Sequence, residues 1–369
     1  MKPVIQVVQD RQSLEDIVPA WEKLAQHACE ANPFYEPWML LPALRAQGEG
    51  EDFRCALLWH DHRLVGLFPF RRIPRFKHLP APTLTSWRHS AFLLCTPLVR
   101  AECAVDCLRA VLWWGAANAS LIELRYIPRQ GPFDAALEEA LIGQDCRVLP
   151  VAQFTRALLC KAESAEAYME SAMSGQLRRH LRRSEKKLRE QHEVRYISIR
   201  PGDPIGDEID KFIALEASGW KGQAGGALGA SAENERFGRE ILEEAHRRGR
   251  LNMVGIDCDG KPIARRCSLL AGEGSYAFRT AYDEAFAAYS PGVLAEAHSL
   301  REFHGLPDVQ WMDSYTDPDN ATVNRMWKDR RPMQTLAVGL GAWGNFWLGI
   351  YSRLRSSISS ARQNLSISR

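Results

Sequence analysis

The sequence lacks the patterns that tie a protein to a metal, to a disulfide framework or to a membrane. Its nine cysteines are scattered without a CxxC pair, as is typical of reduced thiols in a cytosolic protein. No uninterrupted run of about 18 apolar residues occurs, and the amino terminus has no basic flank followed by an apolar core. His60 and His62 lie at a turn without a third ligand nearby. The sequence therefore predicts a cytosolic protein that holds no metal, is not secreted and does not span a membrane.

The overall charge says little about partners. The 369 residues carry a formal net charge of +2, with 46% hydrophobic and 25% charged residues. This is the composition of an ordinary globular protein, so any anion binding has to come from local clusters of Lys and Arg. The length is sufficient for two domains that each bury a core.

One order of elements is predicted twice along the chain: two helices, a hairpin, and then strand, helix, strand, helix, strand. In the first half the predicted elements are helices 13–28 and 37–45, a hairpin at 53–70, an extended stretch 90–99, helix 104–117, strand 121–126, helix 133–142 and strand 152–159. In the second half they are helices 205–217 and 234–248, a hairpin at 250–270, strand 275–282, helix 291–303, strand 309–314, helix 320–328 and strand 333–338. We therefore predict two tandem α/β domains, each with a mixed central sheet flanked by helices.

The most informative segment is 275–303, which predicts a strand, a Ser-Pro-Gly turn and an amphipathic helix. Ser290 and Pro291 fit a helix start, and Gly292 permits one close backbone approach to a ligand. The N–H groups in the first turn of a helix have no internal partner and carry partial positive charge. Such a start suits a phosphate or pyrophosphate without any lysine, although many helices begin with Ser-Pro and bind nothing.

Three ordered motifs carry a resemblance to a known family. They are LEASGWKGQAGGAL at 215–228, YDEAFAAYSPGVL at 282–294 and MDSYTDPDNATVNRMWKDRR at 312–331. With the element order, they resemble GNAT acyltransferases of the CelD-like branch, which are bacterial acetyltransferases associated with cellulose or exopolysaccharide biosynthesis and related to the FemAB peptidyltransferases. The resemblance covers residues 165–338. Gly226 and Tyr315 depart from the residues usual in that branch, so no role is carried over to them.

The resemblance implies a donor and a domain layout. In this family the pyrophosphate of an acyl-coenzyme A lies on the loop between the fourth strand and the following helix. Acetyl-CoA or another acyl-CoA is then the donor, and the residues implied to bind it are Tyr289, Ser290, Pro291, Gly292, Val293 and Leu294. The tandem GNAT-like domains are expected at 1–160 and 201–338. The first lacks the Ser-Pro-Gly start, so it is expected to shape the acceptor side without binding a donor, with transfer to an amine or hydroxyl in the cleft between the domains.

Acyl transfer also needs a group that takes the proton of the attacking amine or hydroxyl. Tyr282 ends the predicted strand, Asp283 follows it, and Glu216 lies one helical turn before Trp220. A carboxyl group whose pKa is raised by burial suits the role. The alternatives are that Asp283 caps a turn, that Glu216 pairs with Lys221, and that water serves as the base.

Four residues are candidates for binding the acceptor. Asp313 and Ser314 end the next parallel strand, where ligands gather in α/β sheets, unless they cap the helix that follows. Trp220 and Lys221 begin a glycine-containing loop that is expected to flank a pocket, with burial of the tryptophan in the core as the alternative. The acceptor has no signature of its own and is either a small molecule or an envelope or polysaccharide precursor.

A strongly basic helix, GQLRRHLRRSEKKLRE, is predicted at 175–190 within a connector spanning 161–200. Arg178 and Arg182 share one side of this helix and are predicted to bind the phosphates of coenzyme A. A lipid head group, RNA and solvent alone are the alternatives. Because no aromatic residue alternates with the charges, stacking on single-stranded nucleic acid is not favoured. We predict no DNA partner and disfavour RNA.

The segment 339–369 is predicted to be an amphipathic tail. Its aromatic and aliphatic residues recur at helical spacing from Trp343 to Ile358, with arginines and serines on the other side. Such a helix suits peripheral contact with the inner membrane surface. Docking on the first domain and binding of a partner protein are the alternatives.

Two further functions stay open beside a cytoplasmic N- or O-acyltransferase. A FemAB-like transferase would take aminoacyl-tRNA as its donor. A degenerate transferase would serve as a non-catalytic partner in an exopolysaccharide assembly system.

Overall fold

The structure is a computed structural model that describes residues 2–47, 50, 52–219 and 227–367, with side chains described as far as residue 356. Its contacts divide the chain into two compact units. Unit 1 comprises residues 1–37, 47–154 and 332–369, and unit 2 comprises residues 38–46 and 155–331. The domain boundaries expected at 160, 200 and 338 stay predictions.

Unit 1 contains a mixed sheet. In spatial order its strands are β1 (Val4–Val8), β2 (Phe53–His60), β3 (Arg63–Ile73), β4 (Thr83–Ser86), β6 (Leu121–Pro128) and β13 (Asp329–Gly339), with β5 (Leu98–Val99) paired to β3 off this path. These neighbours pair antiparallel except β4 and β6, which are parallel. A parallel pair requires a crossover connection, and the helix α4 (Ala104–Asn118) supplies it.

The helices of unit 1 bury one side against this sheet. Besides α4 they are α1 (Arg11–Glu15), α2 (Val18–Gln26), α5 (Pro132–Leu141) and α12 (Gly341–Ile367). Leu108 and Val111 of α4, and Phe133 and Leu137 of α5, share one apolar cluster with Val338 of β13. Each such buried side chain contributes about 1.5–3 kcal/mol of hydrophobic stabilisation.

The tail helix α12 docks on unit 1 by one side. Its Leu348 is fully buried in a cluster with Phe76 and Ala337, and the ring of Tyr351 lies 5.1 Å from the ring of Phe76. On another side of the helix, Trp343, Phe346 and Leu354 are 61%, 50% and 51% exposed, respectively. The helix therefore has both a docked side and an exposed apolar stripe.

Unit 2 contains a second mixed sheet of the same design. In spatial order its strands are the end of β7 (Val148–Cys160), β12 (Trp311–Asp313), β11 (Gly274–Tyr282), β10 (Lys261–Ala271), β9 (Leu251–Cys258) and β8 (Val194–Ile199). The strands β11 and β12 are parallel, and the other neighbours in this sheet pair antiparallel. The crossover is the helix α10 (Pro291–Gly305).

The helices of unit 2 flank this sheet. Besides α10 they are α3 (Pro37–Gln47), α6 (Ala165–Ala172), α7 (Gly175–Gln191), α8 (Gly206–Ser218), α9 (Ala232–Arg247) and α11 (Ala321–Met326). The basic helix α7 buries Leu177, Leu181 and Leu188 in the same apolar cluster as Leu294 and Leu300 of α10. Because these leucines recur every four or seven residues, the arginines and lysines between them point outward.

The predicted element order is confirmed in the second half of the chain, as is the mixed α/β architecture. In the first half the strand that pairs parallel with β6 is β4, and not the predicted stretch 90–99. The last strand of each repeat, however, lies in the sheet that the other repeat forms. The end of β7, from the first repeat, pairs with β12, and β13, from the second repeat, pairs with β6. Each sheet is thus completed by a strand from the other half of the chain.

Several local predictions need correction. The helix predicted at 13–28 is two helices, because the chain turns at Asp16 and Ile17 and α2 begins at Val18. Pro19 lies in its first turn, where proline is favoured. In the stretch 90–99 only Leu98–Val99 is a strand. The short strands β1, β4 and β8 were not predicted.

Candidate functional site

The parallel strands β11 and β12 separate before β11 ends. Their ladder pairs Gly274 with Trp311 and finishes at Tyr276 opposite Asp313, whereas β11 continues to Tyr282. The carboxyl half of β11 therefore has a backbone edge that β12 does not cover. Ligands in α/β sheets gather at such points, outside the carboxyl ends of parallel strands.

A bulge lies in β11 where this uncovered edge begins. Opposite β10, Cys267 pairs with Arg279 and Leu269 pairs with Tyr276, so β11 contains one extra residue at Ala277–Phe278. A bulge takes backbone groups out of the regular ladder. Backbone N–H groups at a ligand-facing edge are the donors that stabilise an oxyanion in acyl transfer.

The start of α10 offers fewer free N–H groups than the sequence suggests. Ser290 precedes the helix in the left-handed conformation, with φ 56° and ψ 52°. The N–H groups of Val293 and Leu294 both donate to the carbonyl oxygen of Ser290, at 3.0 and 3.1 Å. Since Pro291 has no N–H, the first turn retains one backbone donor without a partner among the described residues, that of Gly292.

Gly292 is held close to the end of β11. A Cβ added at Gly292 would lie 3.1 Å from Cδ1 of Tyr282, so a larger side chain there displaces that ring or blocks the helix start. The half-buried Tyr282 ring thus supports the turn in which Ser290 and Pro291 lie.

The basic helix α7 runs beside this helix start. Nε2 of His180 lies 3.2 Å from Oγ of Ser290, and Nζ of Lys187 lies 5.2 Å from the centre of the Tyr289 ring. The hydroxyl of Tyr289 also bonds to Gln191. One side of α7 therefore contacts the segment that leads into α10.

Arg178 and Arg182 lie on another side of α7. They line a groove of about 260 Å³ between α6, α7 and α10, together with Leu294, Ala297 and Arg301 of α10. Nη1 of Arg178 is 3.5 Å from the carboxylate of Glu170. These two arginines thus face the body of α10 and not the Ser290–Gly292 turn, and their role in binding coenzyme A stays a prediction.

Asp283 caps the turn that follows β11. Its Oδ1 accepts a hydrogen bond of 2.9 Å from the N–H of Ala285, at the start of a 3₁₀ segment, Glu284–Tyr289. This is the capping alternative that the sequence left open. Capping engages one oxygen, and in the described part of the chain Oδ2 accepts no hydrogen bond.

Glu216 is buried at the end of α8 and ties that helix to β11. Its Oε1 is 2.9 Å from Nη1 of Arg279, and its Oε2 accepts from the N–H of Leu228 at 2.8 Å. Trp220 and Lys221 lie outside the described residues. The carboxylate of Glu216 therefore has a partner on the bulged strand, 63 residues further along the chain.

Asp313 and Ser314 are fully buried where β12 ends. Oδ2 of Asp313 is 3.7 Å from Nη1 of Arg156 and 3.3 Å from Nη1 of Arg331, and Oδ1 accepts from the N–H of Tyr315 at 2.8 Å. The helix start that Asp313 was alternatively expected to cap is instead capped by Asn320. Asp313 therefore holds a buried charge cluster at the point where β11 and β12 separate.

A second buried ion pair lies beneath α10. Oε2 of Glu296 is 2.6 Å from Nη1 of Arg266, which also donates to Oγ1 of Thr280 at 3.1 Å. Burial raises the pKa of Glu296, and the guanidinium of Arg266 opposes that rise. The pair fixes α10 to β10 and to the uncovered half of β11.

Sequence reasoning missed the arginines of this region. Arg156, Arg266, Arg279 and Arg331 each pair with an acidic residue far away in sequence. A signal was available for two of them, since Arg266 lies next to Arg265 within the mainly apolar β10, and Arg279 is the one charged residue in the sequence of β11. Charged residues are rarely fully buried unless they are paired, so an arginine within an apolar strand indicates a buried acidic partner.

Within the described residues, no group of three or more His, Cys, Asp or Glu side chains is arranged to hold a metal ion. Nor is any helix in that part of the chain both long and apolar enough to cross a membrane.

The uncovered, bulged strand and the helix start adjoin one another in unit 2, and the sequence of this segment matches a known family. Residues 175–320 match the family model described as an acetyltransferase (GNAT) domain. The match lies in unit 2 and extends from α7 to the end of the loop after β12. This segment is a GNAT-type acetyltransferase domain, and the chain is an enzyme of the acyltransferase type.

Similar solved structures extend over nearly the whole chain. FemX has 10% identity and a TM-score of 0.58, covering 93% of this chain and 99% of its own. A conserved protein of unknown function from Bacteroides thetaiotaomicron has 13% identity and a TM-score of 0.55, with 91% and 100% covered. The C-terminal domain of a putative lysylphosphatidylglycerol synthetase from Agrobacterium fabrum has 10% identity and a TM-score of 0.54, with 92% and 96% covered. At these identities the likeness is one of fold. The comparison with curated proteins finds no match.

Proposed function

We propose that this enzyme transfers an acyl group from acetyl-CoA or another acyl-CoA to an amine or hydroxyl. The observation that carries the proposal is that three features lie together in unit 2. The segment that matches the acetyltransferase domain contains the bulged strand, its uncovered edge and the Ser290–Gly292 helix start. Each of the three has a use in acyl transfer, and they adjoin one another in the fold.

The donor is expected to lie along the uncovered edge of β11. The amides of its pantetheine arm can bond to the backbone of residues 277–282 in the way that an added strand does. Its pyrophosphate would then reach the N–H of Gly292 and the positive end of α10. Tyr289, Val293 and Leu294 belong to the same proposed site.

The chemistry needs a proton acceptor and an oxyanion site. The attacking amine or hydroxyl bonds to the thioester carbonyl carbon and gives its proton to the base. The C–S bond then breaks, and the leaving thiolate of coenzyme A takes up a proton to become the free thiol. Asp283 is the preferred base, because one of its carboxylate oxygens is outside the capping bond. Both oxygens of Glu216 are engaged by Arg279 and Leu228. Tyr282 stays a third candidate for proton transfer.

The acceptor proposal is coarser. Trp220, Lys221, Asp313 and Ser314 are proposed to flank the acceptor, which is a small molecule or an envelope or polysaccharide precursor, as the resemblance to the CelD-like branch implies. A cytoplasmic location and a role in cellulose or exopolysaccharide biosynthesis belong to the same proposal.

Peripheral membrane contact through α12 is part of the proposal as well. It would use the exposed stripe of Trp343, Phe346 and Leu354. Binding of the protein to anionic vesicles tests it, and a protein that stays unbound would contradict it.

Calorimetric titration with acetyl-CoA, free coenzyme A and a long-chain acyl-CoA tests the donor. Gly292→Leu is expected to abolish binding, because its side chain would enter the space beside Tyr282. Gly305→Leu, at the other end of the same helix, is the matched control, since an added Cβ there meets no atom within 4 Å. Equal binding by the two variants would contradict the proposed donor site.

The second candidate is a transferase that takes aminoacyl-tRNA as its donor. The fold likeness to FemX and the strongly basic α7 favour it. It predicts that the protein binds aminoacyl-tRNA and shows no affinity for any acyl-CoA, so the same titration, extended to aminoacyl-tRNA, separates the two donors.

A further inference from the structure

The helix start alone is a weak site for the phosphates of coenzyme A. That molecule carries a pyrophosphate and a 3′-phosphate, whereas the first turn of α10 retains, among the described residues, one backbone N–H without a partner, that of Gly292. The first basic side chain of α10 is that of His298, two turns further along the helix. Additional positive charge has to come from a neighbouring element.

The side of α7 that contacts this turn carries such charge. His180 lies 3.2 Å from Ser290 and Lys187 lies 5.2 Å from the Tyr289 ring. Arg183 is three residues after His180 and four before Lys187, so it shares their side of the helix. Both Arg183 and Lys187 are exposed to solvent.

These two cations differ from most of the others on α7. Arg178 pairs with Glu170, Lys186 with Glu190, and Arg189 with Glu185. In the part of the chain that the structure describes, neither Arg183 nor Lys187 pairs with a carboxylate. Charge-assisted hydrogen bonds to phosphate are among the strong ones, and cations beside a helix start that lack an acidic partner are positioned to make them.

We propose that His180, Arg183 and Lys187 complete the phosphate site at the start of α10, and that donor affinity depends on contacts from this side of α7. The inference rests on the proposed acyl-CoA donor. It replaces Arg178 and Arg182, which the sequence favours for this role, with residues on another side of the same helix.

Three double variants test the assignment by titration with coenzyme A, 3′-dephospho-coenzyme A and pantetheine. Arg183→Gln with Lys187→Gln removes the proposed contacts. Arg179→Gln with Lys186→Gln removes the same charge from the side of α7 opposite its buried leucines and is the matched control. Arg178→Gln with Arg182→Gln removes the same charge from the groove and tests the assignment that the sequence favours.

The proposed pair of changes is expected to weaken coenzyme A binding by about tenfold or more. The control variant should bind coenzyme A with a dissociation constant within about twofold of that of the unchanged protein. Its two lost charges act on the ligand only at long range, where salt screens them. The first variant should also lose most of the preference of the unchanged protein for coenzyme A over pantetheine. The affinity for 3′-dephospho-coenzyme A, which keeps the pyrophosphate, shows which of the phosphates the two cations contact.

Two results would overturn the inference: equal weakening by all three variants, or weakening only by the changes at Arg178 and Arg182. In either case the proposed function survives, because the unchanged protein still binds coenzyme A. If the unchanged protein binds none of the three ligands, the proposed donor and this inference both fail.

Discussion

The two units connect their parallel strands in the same way but treat the start of the connecting helix differently. In unit 1 a 3₁₀ turn, Ala101–Cys103, precedes α4. Its Glu102 lies 2.8 Å from Arg63 and 3.4 Å from Arg100. In unit 2 the first turn of α10 has no acidic residue, and cations of α7 lie beside it. The first helix start thus has an anion of its own, whereas the second is open to an anion from outside.

The ends of the parallel ladders differ as well. The third pair is Thr85 with Glu123 in unit 1 and Tyr276 with Asp313 in unit 2. Glu123 accepts a 2.7 Å hydrogen bond from the hydroxyl of Thr85 and lies 3.6 Å from the exposed Lys77. Asp313 is instead buried with two arginines. In unit 1 the ladder therefore ends at a carboxylate that contacts a hydroxyl and an exposed lysine. In unit 2 it ends at a buried charge cluster beside the uncovered part of β11.

The largest effect is expected from a chain that ends at Arg331. It lacks most of β13, which pairs with β6 and buries Leu336 and Val338 in unit 1. Loss of this strand and its apolar side chains should leave unit 1 without a cooperative thermal transition. A chain that ends at Leu340 keeps β13, lacks the helix after it, and is the control. If calorimetry finds two intact unfolding transitions in the shorter chain, unit 1 does not depend on β13 to complete its sheet.

Asp313→Asn should have the next largest effect. It leaves Arg156 and Arg331 buried without the carboxylate, and breaking a buried ion pair costs about 3 kcal/mol of the free energy of unfolding. Glu123→Gln is the matched change in unit 1 and should cost about 1 kcal/mol, since its partners are a neutral hydroxyl and the exposed Lys77. Urea denaturation measures both. Equal losses of unfolding free energy in the two variants would mean that the buried arginines make the end of the unit 2 ladder no more sensitive than the end of the unit 1 ladder.

Gly292→Asp would give the start of α10 an acidic residue, as Glu102 does in the turn before α4. Gly292→Ala is its control, because it adds the same Cβ beside Tyr282 without the charge. The aspartate variant should bind acetyl-CoA about thirtyfold more weakly than the alanine variant, which corresponds to about 2 kcal/mol, because like charges repel at short range. Similar affinities would mean that no phosphate binds at this turn.

Glu102→Gln is expected to have the smallest effect. The side chains of Glu102 and Arg63 are exposed, whereas that of Arg100 is buried. Solvent at the glutamate screens both ion pairs, so the free energy of unfolding should change by about 1 kcal/mol or less. A hydrogen bond from its own backbone N–H, followed by Arg100 and Arg63, lowers the pKa of Glu102. Its contribution is therefore present at neutral pH and lost as the pH falls through that lowered pKa. Denaturation of both proteins between pH 7 and about pH 3 should show the difference shrinking toward acid, and donor affinity should not change.

The sequence predicted what local patterns encode. The two hairpins, the start of α10 at Pro291 and the basic helix predicted at 175–190 depend on residues a few positions apart, and all three appear in the structure. The partner of Glu216 was not predictable in this way. Lys221 is close in sequence, whereas Arg279 becomes a neighbour only because α8 packs across β11.

The other features of the site that the sequence did not predict also depend on contacts between distant segments. Asp313 meets Arg156 and Arg331 only after three separate strands come together. The bulge at Ala277–Phe278 is a mismatch between two strands, and neither strand contains it alone. Helical spacing shows which residues share a side of α7, but which side faces the start of α10 depends on tertiary packing. The choice of Arg178 and Arg182 therefore could not be checked from the sequence.

Because β13, near the end of the chain, completes the sheet of unit 1, the order of synthesis affects folding. On the ribosome, β6 emerges long before β13, so the sheet of unit 1 waits with an open edge until residues 332–339 have been synthesised. An unpaired strand edge invites wrong pairing, and long waiting times favour aggregation of partly folded chains. We expect nascent chains stalled before residue 332 to engage chaperones strongly, and release of the completed chain to end that dependence.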